Sequence, residues 1–405
     1  MIFENIVVDT INHDGEQVTG VETEGGKIQS KHVVICCGMW SREFAKKIGV
    51  SIPLHACEHF YVVTEPMRNV APNLPVFRDY DASSYFKEDA GKLLIGAFEP
   101  LAKPWGMNGI PEDFCFDELP DDWNHFQPIL EGALHRLPSL NNVGIQKFFC
   151  GPESFTPDDR YQIGEVPEIK NLFVAAGLNS IGIQSAGGIG KVISEWIRDG
   201  FPSGDLCSVD IRRNMPFQSN SHYLHDRVKE TLGLLYDVHW PFYQYETARN
   251  VRRSPFYSMM SKSGACYGES AGWERPNWFA PKGVAPVYEY SFKKHNWFSY
   301  SAAEHESVRT NVGILDQTSF AKFQIEGRDA ENELNRICAG NLAIQSDKWV
   351  YTQCLNDRGG IEADLTVTRL SRDKFLIVTS GTSQIRDFNW IKSQIGEKAH
   401  CILTD

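Results

Sequence analysis

The chain has 405 residues, enough for two or three domains with cores of their own. Hydrophobic residues make up 42% and charged residues 23%, and the formal net charge of −12 argues against nucleic acid or an acidic membrane face as the main partner. Ten cysteines without a C-x-x-C pair read as reduced, intracellular usage rather than a disulfide framework, and no apolar run approaches the length that spans a bilayer.

Residues 1–38 read as short strands. Val18-Thr-Gly-Val21 and Lys27-Ile28 flank the turn Glu24-Gly25-Gly26, a hairpin signal. His32-Val-Val-Ile-Cys-Cys37 reads as a buried strand that ends in Gly38-Met-Trp40, and a helix begins over Ser41 to Ile48. Residues 52–150 alternate polar turns with strand-like runs such as His59-Phe-Tyr-Val-Val-Thr64, Leu74-Pro-Val-Phe77 and Lys92-Leu-Leu-Ile95, with a helical stretch from Trp123 to Leu137. His55, Cys57 and His59 alternate, so on a strand they share one face. Three soft ligands on a face suggest a metal, but no fourth ligand is visible nearby, and a strand face turned toward a pocket accounts for them better. No metal site is expected.

Further on, the apolar run Asn171-Leu-Phe-Val-Ala-Ala176 reads as a buried strand. Ile189, Val192, Ile193, Trp196 and Ile197 recur at helical spacing, and Gly200 stands where a glycine ends a helix. Between them, Gly177 to Gly190 reads as a glycine-rich turn from strand to helix, whose free N–H groups and positive dipole end suit a flat or charged ligand. It is not a Walker A loop, because Val192 follows Lys191, and Gly188-Ile-Gly190 lacks the third glycine of a dinucleotide fingerprint. A plain packing turn remains the competing reading.

Gly151-Pro-Glu-Ser-Phe-Thr-Pro-Asp158, Ile163-Gly164 and Ala176-Gly177-Leu-Asn-Ser-Ile-Gly182 resemble the flavin-proximal end of the amine-oxidising flavoproteins, closest to the dimethylglycine and sarcosine dehydrogenase family. The resemblance implies a fold that is α/β plus α+β. Residues 1–205 would be the C-terminal part of a FAD-binding domain, with an antiparallel substrate-domain sheet over about 52–150. Around the flavin it implies Val8, Cys37, Gly38, Trp40, Gly177, Asn179, Ser180, Ile181, Gly182 and Ile183. Cys37 departs from the alanine usual there. His59, Tyr61, Arg78 and Tyr85 have like residues in dimethylglycine dehydrogenases; His59 and Tyr61 are the catalytic candidates, Arg78 and Tyr85 the substrate-binding ones. Such a flavoprotein opens with a strand, G-x-G-x-x-G and a helix. The chain contains no G-x-G-x-x-G, and it reads as part of a longer sequence.

Residues 206–253 mix aromatic and charged residues without a sustained period and read as a connecting module. From Ser254, Val312-Gly-Ile-Leu-Asp316, Phe323-Gln-Ile-Glu-Gly327 and above all Tyr351-Thr-Gln-Cys-Leu-Asn-Asp-Arg-Gly-Gly-Ile-Glu-Ala-Asp-Leu365 resemble the folate-binding aminomethyltransferase of the glycine cleavage system. Residues 254–405 would be the N-terminal part of that domain. By itself, the last motif reads as a hairpin about Asp357-Arg-Gly-Gly360. The resemblance implies that Tyr351 lines a folate pocket and Asp364 faces the reactive nitrogens. Glu362, on the same strand face, is its rival, a buried ion pair the plain alternative for Asp364, and Ser380 replaces the usual Asn.

The resemblance therefore implies FAD and tetrahydrofolate as cofactors, an N-methyl amino acid as substrate, and an acceptor such as an electron-transfer flavoprotein, with neither nucleic acid nor membrane as a partner. The compartment would be the cytoplasm in a bacterium or the mitochondrial matrix in a eukaryote. A second class stays open: Val50-Ser-Ile-Pro-Leu-His-Ala-Cys-Glu-His-Phe-Tyr61 is similar to the regulatory subunit of pyruvate dehydrogenase phosphatase, which has this architecture without the activity. The two glycine turns, at Gly38 and Gly177, are expected side by side at the carboxyl ends of neighbouring strands, where open α/β sheets bind ligands.

Overall fold

The computed structural model describes residues 1–405, which form two compact units. The first contains Met1–Ile211, Pro216–His239 and Glu246–Ala248. Its opening strands, Val8–His13, Val18–Thr23 and Gly26–Gln29, make an antiparallel three-stranded sheet. Leu172–Ala176 is apolar throughout and lies at the centre of a second small sheet, antiparallel to Gln162–Glu165 and parallel to Val33–Ile35. A strand with neighbours on both sides and a helix over it has no polar face, hence its unbroken apolar run. The covering helix, Gly182–Asp199, turns Ile189, Ile193 and Trp196 inward and ends at Gly200 in the left-handed conformation, φ 82°. The Trp196 ring meets Phe173 edge-on at 6.0 Å.

Two expectations are corrected here. The strand preceding Gly38 stops at Ile35, and Cys36 and Cys37 are exposed. The turn after Leu172–Ala176 is shorter than the glycine pattern suggests. The helix already begins at Gly182, and Gly187, Gly188 and Gly190 lie inside it. The glycines therefore mark a bare helix face, and only Gly177–Ile181 forms the turn.

The largest sheet of this unit is antiparallel, in the order Ile145–Phe155, His55–Thr64, Lys92–Ala97, Ser84–Asp89, Phe77–Asp79, with Pro104–Trp105 beside His55–Thr64. The pairing strand starts at Phe77, so Leu74–Val76 does not belong to it. One face packs Phe60, Val62, Ile95 and Phe148 against Phe126, Ile129 and Ala133 of the helix Trp123–Arg136. At one end of the other face Cys57 and Phe155 pack against Val228 and Leu232 of the helix Ser221–Leu234. That helix was not legible in the sequence. Asn220 caps it, but its buried face carries Arg227 and Thr231, which break the apolar period.

The second unit contains Arg212–Met215, Trp240–Tyr245 and Arg249–Asp405. Its hairpin Ala265–Ser270/Trp273–Phe279 is held by Arg249, which donates from Nε and Nη2 to the Glu274 carboxylate. A five-stranded antiparallel sheet follows, in the order Trp349–Leu355, Ile361–Ser371, Lys374–Thr379, Ala321–Glu326, Ile402–Thr404. Its inner face buries Phe323, Ile325, Ala363, Leu365, Val367 and Phe375 with Leu334 and Ile391 of the helices Ala330–Ile337 and Gln384–Gln394.

Candidate active site

In the first unit, alternation along His55–Thr64 sends His55, Cys57, His59 and Tyr61 to one face of the large sheet. The register carries that face across the strands, with Gly151 opposite His59, Phe149 opposite Tyr61, Gly96 opposite both Tyr61 and Tyr85, and Arg78 opposite Tyr85. Directly paired residues point the same way, so all four substrate-domain candidates share this face.

A cavity of about 660 Å³ opens on it. His59, Tyr61 and Tyr85 line it from the sheet, Gly38–Trp40 and Leu178–Ser180 from the two turns. The two turns follow the neighbouring parallel strands Val33–Ile35 and Leu172–Ala176, so they meet at the same end. Arg78 is not among the lining residues; its guanidinium sits 5.6 Å over the Tyr236 ring. Val8, at the exposed start of its strand, is not a lining residue either. Cys37 is exposed just before the Gly38–Trp40 turn, and Ile183 is fully exposed on the first turn of its helix.

The Tyr85 hydroxyl and His59 Nε2 share a hydrogen bond of 3.1 Å, and their rings lie nearly parallel, 10° apart. Gly96 makes this possible, because a Cβ there would lie 2.2 Å from the Tyr85 ring and hydroxyl. Burial, then the Glu153 charge, pushes the Tyr85 hydroxyl well up, so tyrosine remains protonated throughout the working pH range. His59 is 6% exposed, and its Nδ1 is buried without a partner. Tyr61 stacks on Phe149 at 4.6 Å, forming an aromatic wall. At the covered end of the face, His55 Nε2 is also buried without a partner, and burial lowers the His55 pKa to about 4. Cys57 is fully buried among apolar side chains, and no group of three His, Cys, Asp or Glu side chains is arranged to hold a metal ion.

The turn Gly177–Ile181 is held by left-handed backbone and by hydrogen bonds to Asn179. Gly177 has φ 63°, and Asn179 and Ser180 have φ 46° and 64°. Asn179, 2% exposed, accepts from the Thr156 backbone N–H at 2.9 Å and donates to the Gly177 carbonyl at 3.0 Å. No side chain caps the helix that starts at Gly182, so its first N–H groups and dipole are open to an anionic or electron-rich edge. Beside it, a Cβ added at Gly38, φ 54°, would meet nothing within 4 Å. An uncapped 18-residue helix and a bare glycine turn beside an aromatic cavity fit the edge of a flavin ring.

In the second unit, Trp349–Leu355 pairs with Ile361–Ser371 about the expected turn. Asn356 Oδ1 accepts from the N–H groups of Arg358 and Gly360, and Asn356 Nδ2 donates to Glu362 at 2.8 Å. Glu362 is thereby committed to the turn. Asp364 is exposed, ruling out the buried ion pair, and it accepts from the Tyr351 hydroxyl at 2.8 Å. The Tyr351 ring is 60% exposed, and its bond to Asp364 raises the hydroxyl. A tyrosine face with an adjacent carboxylate suits a nitrogen heterocycle. Ser380 Oγ accepts from the Thr382 N–H at the following short turn.

Several cavity residues carry no signal in the sequence, among them Lys87, Phe114, Asp117, Phe149 and Glu153. Glu153 lies two residues beyond Gly151 in a motif already singled out, but only the pairing with Cys57 reveals its face.

Comparison with known proteins matches residues 1–196 to the FAD dependent oxidoreductase family, 199–254 to the FAD dependent oxidoreductase central domain and 256–405 to the GCVT N-terminal domain. The chain is 43% identical over 99% of its length to 4-methylaminobutanoate oxidase (formaldehyde-forming) of Paenarthrobacter nicotinovorans, covering 48% of that protein. It is 34% identical over 96% of its length to the mitochondrial pyruvate dehydrogenase phosphatase regulatory subunit of Mus musculus, covering 45% of it. To mitochondrial sarcosine dehydrogenase of Homo sapiens it is 34% identical over 88% of its length, covering 41%. The chain thus spans about half the length of the curated relatives it matches. The matches run through both units in the same order, and the chain belongs to the family in which a FAD-dependent oxidoreductase domain precedes a GCVT domain, that of the sarcosine and dimethylglycine dehydrogenases.

Proposed function

We propose that the full-length protein oxidises the N-methyl group of a small amino acid of the dimethylglycine or sarcosine class, and passes the one-carbon unit to tetrahydrofolate. The observation that carries this reading is the part-buried His59–Tyr85 pair, which lines an aromatic cavity beside the two glycine turns. An N-methyl ammonium cannot release hydride until its nitrogen has a free lone pair. A base within hydrogen-bond reach removes that obstacle. His59 is the base in this reading. Tyr85 fixes its ring orientation, and the stacked Tyr61 and Phe149 give the methyl group an apolar seat. Gly38–Trp40 and Gly177–Gly182 would hold FAD, which when bound supplies the two-electron acceptor. In the second unit, Tyr351 would stack on the pterin and Asp364 would exchange a proton with its amine nitrogens.

The test is anaerobic mixing of the purified, flavin-loaded full-length protein with sarcosine, dimethylglycine and 4-methylaminobutanoate. The flavin absorbance is expected to bleach with at least one of them, releasing formaldehyde without tetrahydrofolate and forming methylene-tetrahydrofolate with it. Bleaching by none would overturn the reading in favour of a non-catalytic role.

A further inference from the structure

Glu153 is the one carboxylate among the cavity's sheet residues that lies beside the catalytic pair. It stands on Ile145–Phe155 opposite Cys57, diagonal to His59 across the strand pair, and its charge contributes to raising the Tyr85 hydroxyl. Its Oε2 is buried, and the structure gives it no hydrogen-bond partner. His59 Nδ1, on the same face, has none either. Leaving a carboxylate oxygen buried and unpaired is costly, and native proteins retain such atoms where something else supplies the partner. The same cavity is lined by the rings of Tyr61, Phe149, Tyr85 and the half-exposed Trp40, and nearer its rim by the charged Lys87 and Asp117, which come from other parts of the chain. Aromatic faces with a carboxylate among them are the chemistry that recognises an alkylated ammonium, through the ring quadrupole and a charge-assisted contact.

We propose that Glu153 is a specificity-determining residue that holds the substrate amine as its cation, so that the cavity selects an N-alkylated ammonium over a neutral group of equal shape. This rests on the reading of the cavity as an amine site. Glu153 supplies the counter-charge on arrival, and His59 stands beside it to receive the proton.

The experiment compares two probes of nearly identical shape, trimethylammonioacetate and 3,3-dimethylbutanoate, which differ only in a quaternary nitrogen against a quaternary carbon. Both carry the same carboxylate, so contacts to that group cancel. Calorimetric titration of the flavin-loaded full-length protein is expected to show the cation binding at least tenfold more tightly. In Glu153→Gln the preference is expected to vanish, with the neutral probe binding as before. Glu153→Asp retains the charge one methylene further back, and an intermediate preference is expected; it decides the question if Glu153→Gln does not fold. A folded Glu153→Gln, or failing that Glu153→Asp, with the wild-type preference would overturn the assignment while leaving the amine site intact. A wild-type protein that binds neither probe, or both equally, would overturn both.

Discussion

At the scale of single residues, His59 and His55 show how one strand face gives two histidines different fates. His59 faces the cavity and shares a hydrogen bond with Tyr85, whereas His55 lies at the covered end of the same face with an unpartnered Nε2. Replacing His59 with Ala should reduce amine oxidation by roughly 10²- to 10⁴-fold, the range of a lost general base, and Tyr85→Phe should cost less. Rapid-mixing kinetics with flavin content as a control would check this, and an unchanged reduction rate in His59→Ala would remove it from the chemistry. For His55, burial holds the folded-state pKa at about 4, below the ordinary 6.5. Unfolding therefore takes up a proton between those values, so stability declines as pH falls from 6.5 toward 4, by about 3 kcal/mol at most. His55→Leu should flatten that slope in thermal melts across this range. An equal slope in wild type and variant would show that other groups cause it.

At the scale of elements, the cavity depends on strands that approach closely at glycine. The Tyr85 ring occupies the space where a side chain at position 96 would begin. Gly96→Ala should displace the ring, break its bond to His59 and lower activity at least as far as Tyr85→Phe, at a stability cost of about 1–3 kcal/mol. Activity equal to wild type in a folded Gly96→Ala protein would mean that this ring contact is dispensable. At the turn, a Cβ on Gly177 would sit 2.5 Å from Thr156 Cγ2, on a backbone already at φ 63°. Gly177→Ala should lower flavin occupancy as well as the melting temperature, because it disturbs the Thr156–Asn179 bonds that set the turn. Full flavin content in that variant would show the turn to be tolerant.

At the scale of the whole molecule, the two candidate sites lie in separate compact units, so their chemistries should separate by mutation. Asp364→Asn in the full-length protein should leave flavin reduction by the amine unchanged and reduce methylene-tetrahydrofolate formation about 10²-fold, with free formaldehyde rising instead. Glu362→Gln should leave the partition alone, because Glu362 is held by Asn356 in the turn. A product ratio unaffected by Asp364→Asn would make that aspartate structural. What the sequence determined by itself was local: the strand and the helix on either side of Gly177, though not where the turn between them ends, the hairpin around Gly359 and the face shared by His55, Cys57 and His59. Periods of two and 3.6 residues and the torsional freedom of glycine act over a few neighbours and are visible in a single chain. Tertiary structure alone decided which face opens to the cavity, that Arg78 lies outside it and Glu153 inside, and that Ser221–Leu234 is a helix despite a buried arginine. Those outcomes rest on register between segments far apart in sequence, such as Glu153 beside Cys57, and on packing partners that no local pattern encodes.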